Sequence, residues 1–105
     1  MNLDPTTGSI ISEEEAKKII TLFAEKFPKQ TVSSFIGSDN VKKILEQEGC
    51  IGIRIYNGYD EEAQKISLVL VGVDKEEQDI LEYGIIYDRM ATCPPFCPKP
   101  KIGLV

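Results

Sequence analysis

Residues 49–73, GCIGIRIYNGYDEEAQKISLVLVGV, are the richest local source of core in the chain, and their reading decides the fold. Ile51, Ile53 and Ile55 alternate with Gly52, Arg54 and Tyr56, the period of a strand with one apolar and one mixed face. Ile66, Leu68 and Leu70 then alternate with Val69, Val71 and Val73. A strand apolar on both faces is expected at the centre of a sheet, covered on both sides. Between the two runs, Asn57-Gly58 is a turn signal, and Asp60-Glu61-Glu62 extends it into an exposed acidic loop.

Upstream, Ser12-Glu13-Glu14-Glu15 matches a capping box, in which the Ser12 hydroxyl accepts from the Glu15 amide and the Glu15 carboxylate reaches back. Three glutamates in one turn also suit the positive end of a helix dipole. Ala16, Ile19, Ile20, Phe23 and Phe27 follow at helical spacing, and Pro28 excludes Phe27 from the helical region. The spacing predicts a helix over 12–27. Residues 30–36, rich in Thr, Val, Ser, Phe and Ile between Pro28 and Gly37, read as a strand. Ser38 or Asp39 is expected to cap a second helix running to about Glu48, with Val41, Ile44 and Leu45 buried and Gly49 as the stop.

Downstream, residues 74–79 read as a second polar turn and 84–88 as a further strand. Residues 80–83 fit no single element. The tail from Ala91, ATCPPFCPKPKIGLV, is too rich in proline to be read as regular structure. The order helix, strand, helix, strand, strand, strand predicts an α+β fold in two layers. Two N-terminal helices pack on a mainly antiparallel sheet of about four strands. One domain is expected over 1–105, with 1–11 a loose lead-in and 91–105 a proline- and cysteine-rich tail.

Hydrophobic residues make up 42% and charged residues 28% of the 105, an ordinary balance for a soluble domain. The longest apolar run, Leu68–Val71, falls far short of the ~20 residues a membrane helix needs, so no membrane partner is expected. The N-terminal stretch has neither the basic region nor the apolar core of a secretory signal, and a cytoplasmic protein is expected. The net charge is −5, and residues 50–89 hold nine acidic groups against four basic ones. No basic stripe is present to neutralise phosphates, which argues against nucleic acid as a partner.

Histidine is absent. That removes serine or cysteine nucleophiles activated by histidine, histidine-based zinc sites, and the commonest general base near neutral pH. Residues 74–85 superficially suggest a calcium loop, but Asp79 stands where the glycine is required and Ile85 where the bidentate glutamate is required. No cofactor is expected.

Chemical character is concentrated in Cys93-Pro94-Pro95-Phe96-Cys97, with Cys50 distant in sequence. Three readings stay open. A disulfide forms, either between Cys93 and Cys97, which needs a sharp turn to bring the Cα atoms within ~7 Å, or with Cys50 as one partner. Cys93 and Cys97 bind zinc, short of the usual four ligands. Or the tail is a stiff terminus and Cys50 a small buried hydrophobe. Pro95 and Pro98, followed by Lys99 and Lys101, also make one PxxP of the kind that SH3-like grooves accept.

Arg54, Tyr56, Tyr59 and Tyr87 are the candidate interaction surface, because arginine and tyrosine are common interface anchors. The competing reading pairs Arg54 across strands with Asp88 or a glutamate.

Through GCIGIRIYNG, LVLVGVD and CPPFCP, the chain resembles a family of small bacterial proteins of the Bacteroidetes, which carry a GIR-[IV]-Y strand and a C-terminal CPP-x-C. No activity comes with the resemblance. It implies that Cys93, Pro94, Pro95 and Cys97 form a unit. The leading expectation is a non-enzymatic domain that binds another protein, with a homodimer as one form. The alternative is a thiol-based redox or metal-binding protein using Cys93 and Cys97.

Overall fold

The computed structural model describes residues 2–97. The elements in chain order are α1 (Glu13–Lys26), β1 (Ser33–Phe35), α2 (Ser38–Leu45), β2 (Cys50–Asp60), β3 (Lys65–Asp74), β4 (Ile86–Tyr87) and β5 (Ala91–Cys93). The class is α+β, as the element order predicts. The single sheet of about four strands is corrected to two antiparallel sheets, one ordered β2-β3-β4 and one pairing β1 with β5.

Ser12 caps α1, its hydroxyl accepting from the Glu15 amide at 3.0 Å. Phe27 closes the helix and Pro28 prevents another turn. Ala16, Ile20 and Phe23 are half-buried, but no residue of α1 is fully buried, and Ile19 is 51% exposed. Phe23 and Phe27 pack on each other with ring centroids 5.2 Å apart.

The second helix departs from its expected caps. Gly37 is its N-cap, no side chain closes it, and Ser38 is already helical. Its C-terminus is Leu45, short of Glu48. Gly49, at φ +76, turns the chain into β2 in a conformation that glycine adopts without strain. Ile44 is fully buried, whereas Leu45 is 44% exposed and Val41 half-buried. A helix of this length lays only one narrow stripe on its neighbour, and Ile44 lies on it.

β3 lies between β2 and β4, the central position its two apolar faces require. The turn expected at Asn57-Gly58 is a correction: these residues are strand, paired with Leu68 and Ser67. The chain reverses at residues 61–64 instead, where Asp60 Oδ1 accepts from the amides of Glu62 at 3.0 Å and Ala63 at 3.2 Å. That carboxylate closes a longer turn and lets Tyr56–Asp60 join the ladder. Gly58 is in the strand for reasons of space, since a Cβ there would lie 2.7 Å from the Ser67 carbonyl oxygen.

Residues 91–93 were expected to be irregular and are a strand. The prolines begin at 94, so Ala91, Thr92 and Cys93 keep their amides and pair with Phe35, Ser34 and Ser33. The strands expected over 30–36 and 84–88 shorten to 33–35 and 86–87.

Helix α2 sits on β3 where Gly72 leaves room. A Cβ at Gly72 would lie 3.3 Å from Ile44 Cγ2 and 2.8 Å from Gln47 Nε2. Gln47 ties this corner together: its Oε1 accepts from the Ile85 amide at 2.9 Å and its Nε2 donates to the Ile44 carbonyl at 3.0 Å. Ile44, Leu70, Val71, Val73 and Cys93 are the buried apolar residues. Among the described residues no helix is long and apolar enough to cross a membrane.

Candidate functional site

The strand order leaves β2 on the outside of its sheet, and among the described residues nothing pairs with its outer edge. An edge strand presents a row of backbone donors and acceptors to whatever approaches, and most proteins keep such edges short or covered. This one runs eleven residues. Ile55 and Tyr59 on one face are 58% and 59% exposed. The lead-in residues Leu3, Asp4, Pro5 and Thr7 share a groove with Ile51–Ile55, yet no backbone hydrogen bond joins them to β2.

Period-two geometry sorts the candidate surface. Arg54 and Tyr56, opposite Val71 and Val69, share one face of the sheet. Both side chains reach Asp79, the Arg54 guanidinium as an ion pair and the Tyr56 hydroxyl as a donor. Tyr59 lies on the opposite face, and Tyr87 donates from its hydroxyl to Asn40 Oδ1 at 3.0 Å, against α2. The four residues therefore do not form one surface: two act together and two stand apart.

The expected partner of Arg54 is also corrected. It is Asp79, while Asp88 lies 3.9 Å from Arg89 Nε. The bridge between Val73 and Asp79 places this carboxylate beside the strand end, which the sequence distance of 25 conceals. Bonding to Asp79 raises Arg54 above its ordinary value and also raises Tyr56, because the neutral phenol is the form that donates to a carboxylate. Asp79 matches the charge of Arg54, whose guanidinium is one-third exposed and keeps donors beyond those taken by Asp79 and the Glu77 carbonyl.

Cys93 and Cys97 are joined by a disulfide with Cα atoms 4.8 Å apart. The sharp turn this needs is present, with cis peptide bonds at Cys93-Pro94 and Pro94-Pro95. The Phe96 amide donates to the Thr92 carbonyl at 2.9 Å, and Phe96 itself is 69% exposed at the tip. Cys93 is only 2% exposed. Cys50 is the free cysteine, half-buried beside Gly72 and Ile44, its thiol donating to the Gly52 carbonyl at 3.2 Å. No three His, Cys, Asp or Glu residues are arranged to hold a metal ion among the described residues, so the three sulfurs do not form such a cluster. The PxxP of Pro95 and Pro98, with Lys99 and Lys101, lies largely outside the described residues.

Two recesses flank the long hairpin. One of about 810 Å³ runs past the turn and is lined by Asp60, Glu61, Glu62, Lys65, Arg89 and Thr92. The other, of about 360 Å³, is apolar and lies between α1 and the sheet, with Ile19, Phe23, Val32, Ile66, Leu68 and Asn57 along it. Sequence reading missed Asp79, Gln47 and Gln30, whose Oε1 accepts from the Ile66 amide at 2.9 Å. Their signal was weak, since an isolated polar residue in a polar turn looks like any other.

No family model, curated protein or solved structure matches the chain.

Proposed function

We propose that this chain is a protein-binding module, without catalytic activity of its own, whose working surface is the outer edge of β2. One observation carries the reading: an eleven-residue strand with exposed Ile55 and Tyr59 has no pairing partner on its outer side among the described residues. An extended segment of another polypeptide gains main-chain hydrogen bonds along such an edge, with side chains at alternate positions setting specificity. The acidic turn beside it favours a partner with basic residues near that end. Membership of the Bacteroidetes family, on the GIRIY, LVLVGVD and CPPFC stretches, belongs to the same proposal.

A photo-crosslinking residue placed at Ile55, in the chain expressed in its native cell, tests this directly. Covalent adducts with a polypeptide are expected from position 55 and not from Glu14 on the far side of α1. Equal labelling from both positions, or no adduct from 55, would sink the reading.

The disulfide supports a second reading, thiol-based redox or metal chemistry at Cys93 and Cys97. The burial of Cys93 weighs against it, because reactive cysteines are accessible as thiolates. Titration with glutathione buffers separates the two. A structural bridge stays oxidised at the cytosolic poise, whereas a working pair exchanges there.

A further inference from the structure

We infer that the strand seated on the β2 edge comes from a second copy of this chain, paired antiparallel about a two-fold axis at Asn57 to make one six-stranded sheet. The inference rests on the protein-binding reading of that edge and names its occupant.

A two-fold axis perpendicular to the sheet keeps each side chain on its own face and places a strand residue opposite its mirror position. The axis position therefore fixes every pair. Centred on Arg54, it brings two guanidinium groups face to face. Centred on Ile55, it extends the pairing to the Cys50 end, where the lead-in already lies against Ile51–Ile55. Centred on Tyr56, it leaves Arg54 opposite a glycine, and centred on Gly58, it sets the Asp60 carboxylate against a tyrosine.

Centred on Asn57, the pairs are complementary throughout. Arg54 faces Asp60 of the partner subunit, twice by symmetry. Ile55 faces Tyr59 of the partner subunit, an aliphatic-aromatic pair between residues that are each more than half exposed in the single chain. Tyr56 faces Gly58 of the partner subunit, an aromatic ring over a strand glycine. Only Arg54–Asp60 takes part, so the overlap with the lead-in groove is confined to Arg54 and Ile55.

The groups are available for these contacts. Asp60 uses Oδ1 in its own turn, leaving Oδ2 free of protein partners among the described residues. Arg54 is one-third exposed and has five donors, of which Asp79 takes one and the Glu77 carbonyl a second at 3.5 Å. Ile19, half exposed, lines the same groove as Asn57 and adds apolar surface beside the axis.

Single cysteines at Ile55, Asn57 and Tyr59, each in the full chain carrying Cys50→Ser, read the register under mild oxidation. The variant Asn57→Cys should link to itself, because directly opposite residues are within disulfide reach. The Ile55→Cys and Tyr59→Cys chains should link only when mixed with each other. Sedimentation of the unmodified chain should show a dimer, with dissociation strengthened about three- to tenfold by Asp60→Asn, which keeps the turn acceptor and removes the charge. Ile55→Lys, at an exposed position, should give a folded monomer by circular dichroism and sedimentation.

Self-linkage at 55 or 59 alone overturns the register, and a dimer indifferent to Ile55→Lys overturns the edge as its interface. A monomer at millimolar concentration overturns the second copy as occupant. If position 55 still crosslinks to another polypeptide in that case, the protein-binding reading stands without it.

Discussion

Asp79 gathers two donors from alternate positions of one strand, Arg54 and Tyr56. The tyrosine provides a pH signature. Its pKa is raised, first by the hydrogen bond to Asp79, so the bond contributes fully below the ordinary value of 10.0 and is lost as pH rises through the folded value. Phenolate absorbance should therefore show a late-ionising component that Tyr56→Phe abolishes and Asp79→Asn returns toward the ordinary range. Urea titrations above pH 10 should lose less stability in Tyr56→Phe than in the parent chain. The core makes a different kind of prediction. Ile44 is fully buried over Gly72. Ile44→Ala should cost about 3 kcal/mol in urea unfolding, and Gly72→Ala about 1–3 kcal/mol, because the new methyl meets Ile44 and Gln47 at close range.

At the scale of elements, α2 is the helix most open to improvement. Gly37 holds extended angles that any residue adopts, offers no capping oxygen, and has open space where a Cβ would stand. Gly37→Ser should raise stability by about 0.5 kcal/mol, read as a shift in urea midpoint without a change in slope. The same element shows why sequence reading was partial. Ser38 and Asp39 look like caps from composition alone, but the true cap is set by where the chain leaves β1, a tertiary matter. The Ser12 cap was legible because its partner, the Glu15 amide, lies within one turn; the return bond expected from the Ser12 amide to the Glu15 carboxylate is not formed. Asn57-Gly58 misled for the opposite reason. A turn signal acts locally, and here five further cross-strand pairs, completed by the Asp60 carboxylate beyond them, outweigh it.

For the whole molecule, the small core and the large exposed surface point the same way. Fourteen large apolar residues are exposed while five apolar residues are buried among those described. Scattered exposure is normal, whereas a strand open along its outer edge with exposed Ile55 and Tyr59 is the feature on which the proposed binding rests. If a second copy covers it, the melting temperature should rise with protein concentration, following mass action, and Ile55→Lys should remove that dependence. Differential scanning fluorimetry across a hundredfold range of concentration measures both.

The sequence by itself determined the helix from Ser12 to Phe27, the two-faced apolar strand ending at Val73, the α+β class and the exclusion of histidine chemistry. Each rests on periodicity, capping or composition, which act over a few residues or over none. Tertiary structure alone decided the split into two sheets, the pairing of Ala91–Cys93 with Ser33–Phe35, and the meeting of Arg54 and Tyr56 at Asp79. It also left β2 at the edge. Those contacts join residues tens of positions apart, where no local preference selects one partner over its neighbours.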